Sequence, residues 1–336
     1  MIRSRHTVAR SAEGSRPDGQ PGTATRPIAL FVLGFNRSGT SALTRVLALC
    51  GAALPTGLVG AMTANPLGHW EPRAANYINE AILQRHRSTT FDPTLRLQEE
   101  GAFAADEKAD WIAEIQSFLR TLPAAPVVVI KDPRITVLSG LWFEAARLAG
   151  FDIRTAITVR HPQEVIASVA QNSPASAELT SALWLKANLL AEVNTRAIPR
   201  VFVDYTQLLT DWRREVGRIT GALEIDLDTR GAAAVDDFLT PDLRRQRHSG
   251  PVTEPFGTDW MTVVYEILCA AARDEPWDQD ALDQVFEAYR TSTQGFQPVF
   301  EDFRRIRKLN RFFPPSLIKL NYEVLAMVNR RRGTWA

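Results

Sequence analysis

The sequence predicts an α/β fold built on a central parallel sheet. Three observations carry that prediction. Four short apolar runs, at 28–33, 127–130, 153–159 and 201–203, read as strands covered on both faces. Stretches of helical periodicity separate them. The first run passes straight into a glycine-rich turn and then a helix, the opening of a βαβ unit.

Taken in order, residues 1–26 are rich in Arg, Gly, Ser and Pro without periodicity and read as a disordered leader. Order begins at Pro27. Residues 38–50 place Leu43, Val46, Leu47 and Leu49 at helical spacing, and Gly51 ends the segment. Further helices are expected at about 73–86, 105–120, 135–149, 162–172, 176–197 and 206–220. Beyond residue 250 the strand signals stop. Segments 258–273, 279–293, 298–311 and 316–332 read as helices, with Pro314 and Pro315 as a break. The expected organisation is a leader (1–26), an α/β domain (27–250) and a helical C-terminal extension (251–336).

Composition narrows the function classes. With 45% hydrophobic residues, the chain can bury a sizeable core without disulfides or a structural metal. Its two cysteines, Cys50 and Cys269, lie in apolar helical contexts, and there is no CxxC pair. A zinc site or disulfide framework is therefore excluded, no metal is expected, and the usage fits a cytoplasmic location. No apolar run approaches the roughly 18–20 residues that cross a bilayer, and the N-terminus lacks the apolar segment of a secretory signal. Charge is uneven. The net +1 combines +3 over 1–26 and +8 over 303–336, leaving −10 for 27–302. An acidic body with a basic tail is unlike a nucleic-acid-binding domain.

The strongest motif is Gly34-Phe-Asn-Arg-Ser-Gly-Thr-Ser41, between the first strand and the first helix. Turn amides and the helix dipole converge there on a site for an anion. The two glycines keep Walker A spacing, but Thr40 stands where the lysine belongs, and the loop's cation is Arg37. A Walker lysine reaches the β- and γ-phosphates of a nucleoside triphosphate. Arg37 at the tip suits a bound group that ends sooner. The loop and its setting make this a P-loop-type three-layer fold. A second motif runs from Thr158 to Ser168. A strand ends at Arg160, Pro162 opens a helix capped by His161, and Ser168 lies about six residues into it. Arg160 thus projects from the carboxyl edge of the sheet, where open α/β sheets bind ligands.

Together these segments resemble the sulfotransferases that use 3′-phosphoadenosine 5′-phosphosulfate (PAPS), of the bacterial type related to carbohydrate and lipid sulfotransferases. The family's 5′-phosphosulfate loop is matched by Arg37, Ser38, Gly39, Thr40 and Ser41. Its 3′-phosphate element is matched by Arg160 and Ser168. Lys131-Asp-Pro-Arg134 after a strand and Trp184 before the last strand also look like bacterial members. The likeness spans about residues 28–250. It implies PAPS as co-substrate, no metal, and in-line transfer of a sulfuryl group to a hydroxyl or amine of a saccharide, glycolipid or small metabolite. Arg37 would stabilise charge on the leaving 5′-phosphate. A late basic loop would fold over the 3′-phosphate, here Arg244, Arg245 and Arg247.

The acceptor hydroxyl needs a base. Glu71, in Gly68-His-Trp-Glu71, resembles the presumed base of bacterial members and is held extended by Pro72. His69 can do the same work. Lys131 ends a buried strand at the same sheet edge and can meet the sulfuryl group or leaving phosphate; the alternative is a lysine stem snorkelling from the strand end. The acceptor pocket is expected from 52–110 and the C-terminal helices. The rival class is a P-loop kinase or NTPase with a degenerate Walker A loop, for which Asp132 imitates the Walker B acid. Finally, Phe303, Ile306, Leu309, Phe312 and Phe313 share one helical face among Arg and Lys. Such a helix can make peripheral contact with an anionic membrane at its inner face. It can equally pack on the acidic body, the favoured alternative.

Overall fold

The computed structural model describes residues 26–310 apart from 63–64, 230–231, 241–242 and 244–245, together with Leu320, Val324 and Met327. The expected leader (bar Arg26), Arg244, Arg245 and most of the expected 316–332 helix lie outside the described residues.

The four expected strands are β1 (Ile28–Leu33), β2 (Val127–Ile130), β3 (Asp152–Val159) and β4 (Arg200–Asp204). They form one parallel sheet in the order β2-β1-β3-β4. The helices are α1 (Thr40–Leu49), α2 (Arg73–Arg85), α3 (Ala105–Leu119), α4 (Pro133–Leu148), α5 (Pro162–Ala170), α6 (Ala177–Thr195), α7 (Tyr205–Thr210), α8 (Trp212–Leu223), α9 (Ala232–Phe238), α10 (Trp260–Ala272) and α11 (Gln279–Asn310).

The strands are short and almost wholly apolar because both faces are covered. Along β1 the side chains alternate between two cores. Ala29, Phe31 and Leu33 join a cluster with α2 to α6, α10 and α11. Leu30 and Val32 join a second with α1, α7, α8 and α9. The result is the expected three-layer α/β arrangement with a central parallel sheet. The chain reverses its direction of travel around β1, which has β2 on one side and β3 on the other. The carboxyl ends of β1 and β3 therefore flank a topological switch point, the usual ligand crevice of such sheets.

Two helix expectations are corrected. The segment read as one helix over 206–220 is two, α7 and α8. Asp211 breaks it with a non-helical backbone (φ −146°, ψ 73°) and caps α8, its carboxylate accepting from the Arg214 amide. Conversely, 279–293 and 298–311 form the single helix α11, which runs through Pro298. A proline removes one amide donor, but the helix around it is exposed and its other bonds continue. Helix α10 and the first part of α11, through Leu282, Val285 and Tyr289, bury their apolar faces in the same cluster as Phe31.

Candidate donor and acceptor cleft

One cleft of about 340 Å³ opens along the carboxyl edge of the sheet. It gathers Arg37, Gly39, Thr40, Ser41, His69, Glu71, Lys131 and Arg160, which are among the residues singled out by sequence.

Its floor is the turn from β1 to α1. Gly39 has φ 97° and serves as the N-cap of α1, with no side-chain cap. The first-turn N–H groups of α1 therefore lack an intrachain side-chain partner and suit an anion. Ser38 is buried, and its hydroxyl is without a hydrogen-bond partner. Such an orphan beside an uncapped helix is what an anion cradle looks like without its ligand's oxygens. Glycine is required at 39 for two reasons. The φ is left-handed, and a Cβ would stand 2.2 Å from the Tyr205 ring. Gly39→Ala is expected to destabilise the fold by about 3 kcal/mol or more, from backbone strain and overpacking together. Urea unfolding checks this. Adding Tyr205→Ala should recover the steric part only.

Arg37 also adopts a positive φ, 69°, which places strain at the loop tip. Its Nε donates to Ser168 Oγ at 3.0 Å. The sequence reading assigned these two residues to opposite ends of the nucleotide, and the structure brings them into contact. Arg160 is buried. Its Nη1 donates to the Arg37 carbonyl at 2.8 Å and its Nε to Glu164 Oε2 at 2.9 Å. Its guanidinium lies over the Tyr205 ring, 4.6 Å from the centroid. The late loop reaches this point. Arg160 Nη2 donates to the Gln246 carbonyl, the His248 amide donates to Glu164 Oε1, and the Tyr205 hydroxyl donates to the Leu243 carbonyl. Arg247 sits in that loop with its side chain exposed.

Across the cleft stands the segment that ends in Glu71. Trp70 has φ 59° and Gly68 φ 94°. The Trp70 ring is held under the Arg45 guanidinium at 4.4 Å. This strained bend delivers Glu71 into contact with Lys131. Lys131 is 2% exposed, and its Nζ donates to Glu71 Oε1 at 2.5 Å, to Ser41 Oγ at 3.1 Å and to the His69 carbonyl at 3.1 Å. Lys131 is therefore a buried bridge between α1 and the Glu71 segment; the snorkelling alternative is set aside. Asn76 Nδ2 donates to Glu71 Oε2 at 3.1 Å and to Asp132 Oδ2 at 2.7 Å.

His69 Nδ1 lies 4.0 Å from Glu71 Oε1, and its Nε2 is buried without a partner. Burial pushes the His69 imidazole below its ordinary value. Glu71 opposes that shift, while Lys131 and Arg37 add to it. The ring is therefore neutral at neutral pH, a hydrogen-bonding and proton-accepting group rather than a cation.

Asp132, at the Walker B position of the rival reading, is fully buried. Its Oδ1 accepts from the Arg134 amide and Nη1, which holds the turn between β2 and α4. Its Oδ2 accepts from Asn76 and Asn79. Sequence reasoning missed Asn76 and Asn79; asparagines on a helix face give no chemical signal until the fold brings them to a carboxylate. It also missed Lys186, which lines a small recess beside the cleft. Burial pulls Lys186 down to about 8 against the attraction of Asp92. The expected acceptor pocket from 52–110 and the C-terminal helices is met in the described residues only on its 52–110 side. Asn65, Leu67 to Glu71, Thr90 and Phe91 line the cleft, and none of the described lining residues comes from α10, which packs on β3 and β4, or from α11, which packs on α10.

No protein-family model matches the chain, and no curated protein matches it. Solved structures with a similar course include sulfotransferases. The sulfotransferase domain from the curacin biosynthetic pathway aligns at 15% identity and TM-score 0.43, over 76% of this chain and 100% of that one. The sulfotransferase domain of the Synechococcus PCC 7002 olefin synthase aligns at 17% and 0.39, over 80% and 97%. Mouse sulfotransferase SULT7A1, complexed with PAP, aligns at 12% and 0.37, over 77% and 88%. At these values the likeness fixes neither family nor activity, and the functional reading rests on the cleft's own residues.

Proposed function

We propose that the protein is a PAPS-dependent sulfotransferase. The carrying observation is one cleft that combines an uncapped glycine turn lacking a Walker lysine with the buried Lys131–Glu71 pair. The amides of Gly39, Thr40 and Ser41 and the Ser38 hydroxyl would hold the 5′-phosphosulfate. Arg160 and Ser168, with the loop bearing Arg244, Arg245 and Arg247, would hold the 3′-phosphate. Glu71 takes the proton of an acceptor hydroxyl as that oxygen attacks sulfur. The bond from sulfur to the bridging oxygen breaks in line, and Arg37 neutralises the charge left on the 5′-phosphate. Fixed cations carry the electrostatics, so no metal is required. The neutral, unpartnered Nε2 of His69 supports a second assignment of the base. The acceptor is read as a saccharide, glycolipid or small metabolite, since Leu67 and Phe91 share the cleft with Thr90, Asn172 and Ser173.

The rival kinase or NTPase reading needs a carboxylate to hold Mg²⁺. Asp132 is committed to four protein donors instead. Calorimetry with 3′-phosphoadenosine 5′-phosphate in EDTA decides the matter. Micromolar binding is expected, weakened about 100-fold in Arg160→Ala through loss of charge-assisted hydrogen bonds. Binding of ATP with Mg²⁺, and none of the bisphosphate, would sink the proposal.

A further inference from the structure

A buried lysine stands in the small recess beside the cleft. Lys186, on α6, is 3% exposed. It lines a recess of about 40 Å³, which shares Asn36, Thr90, Arg134 and Leu183 with the main cleft. That space suits about three waters, or one carboxylate in their place. Lys186 Nζ donates to the Asp92 carbonyl at 2.9 Å. An ammonium carries three donors, and no further acceptor among the described residues meets this one. The acid beside it is committed elsewhere. Asp92 Oδ1 accepts from the Thr94 amide and hydroxyl, and its Oδ2 accepts from Ser88 Oγ and Arg96 Nε. Arg134, the other cation on the recess wall, donates to Asp132 and Glu80.

The recess thus presents a charge with donors to spare. Burial lowers the ammonium to about 8, against the attraction of Asp92 and with the repulsion of Arg96, so it stays charged at neutral pH. A buried cation is costly unless an anion bonds to it. The tie from α6 to the Asp92 carbonyl needs only one neutral donor, so it does not by itself call for a charge here. The rim adds an apolar surface. Phe91 and Leu67, 45% and 44% exposed, line the cleft and suit the face of a ring. We propose that the Lys186 recess is an acceptor subsite for a carboxylate, and that the acceptor is a hydroxy acid whose hydroxyl faces Glu71. The small volume favours a planar carboxylate over a bulkier phosphate or sulfate. The role of the hydroxyl rests on the sulfotransferase reading; binding of the carboxylate does not.

Two matched pairs test this: para-hydroxybenzoate against para-hydroxybenzamide, and glucuronate against glucose. The Lys186 side chain is followed against pH by NMR in the full chain with isotope-labelled lysine and bound 3′-phosphoadenosine 5′-phosphate. Its signal is recognised by its low midpoint and by its loss in Lys186→Met. At least one of the two acids should raise that midpoint from about 8 to about 9 or above, as an anion in contact does. The neutral counterpart should leave it in place. With PAPS, kcat/KM should favour the same acid over its neutral partner by about tenfold or more, carried by KM, and Lys186→Met should bring the ratio to about one. A midpoint unmoved by both acids overturns the proposal, and so does an acid preference that survives Lys186→Met. If the variant fails to fold, the titration of the parent protein decides alone. Failure of the sulfotransferase reading shows separately, as loss of bisphosphate binding in calorimetry, and the titration is then run without the bisphosphate.

Discussion

Replacing Glu71 with Gln should lower turnover by about 10²–10⁴-fold, the range for loss of a positioned proton acceptor. The readout is release of 3′-phosphoadenosine 5′-phosphate from PAPS in the presence of phenolic and saccharide acceptors. Affinity for that bisphosphate should stay within about threefold, because Glu71 itself touches neither the Gly39 turn nor Arg160, and its link to Ser41 runs through Lys131, which the substitution leaves in place. The substitution also strips the counter-charge from Lys131, which is 2% exposed. Some loss of stability will accompany the loss of rate, so rates must be taken well below the unfolding temperature. His69→Gln is the informative comparison. His69 is neutral and its Nε2 lacks a partner, so it is the other group able to accept the proton. A tenfold or smaller effect at Glu71 with a larger one at His69 would transfer the base to the imidazole. The acid limb of the pH profile would then follow an imidazole held below its ordinary value.

The fold was legible because its signals are local. Val127–Ile130 and the β1 run have no polar residue, and a wholly apolar run of that length fits a strand covered on both faces. The glycine turn was legible for the same reason, since its conformation needs Gly39 and its neighbours in sequence. Helix joins were less so. Asp211 caps α8 and divides a continuous amphipathic pattern, while Pro298 fails to divide another. At Asp211 a side-chain cap decided the outcome and at Pro298 an exposed helix runs on past one lost donor, and the apolar period registers neither. The cleft was legible in parts. Arg37, Ser168 and Arg160 were each identified from their own segment, yet their mutual contacts join residues more than 120 positions apart. The same holds for Glu71, whose partner Lys131 is 60 positions away. Asn76 and Asn79 went unseen because an amide acquires meaning only from the carboxylate it meets.

Lys131→Met should be the most destabilising change in the cleft, by about 3–5 kcal/mol, because it leaves the Glu71 carboxylate in place with its buried cation removed. Lys131 also ties Ser41 of α1 to the His69 carbonyl. Its loss therefore loosens the strained bend that presents Glu71. The charge contribution and the positioning contribution separate in a double variant. Lys131→Met with Glu71→Leu removes both charges and fills the space with apolar atoms, so urea unfolding should recover most of the lost stability. Turnover should not recover, since the proton acceptor is gone. A single Lys131→Met variant within about 1 kcal/mol of the parent, by the scale of an exposed pair, would mean the pair is solvated and the bend stands without it. If that variant were stable but its kcat fell with acceptor KM unchanged, Lys131 would instead act on the group in transfer. That places the ammonium at the sulfuryl oxygens, with the Glu71 contact as its resting position.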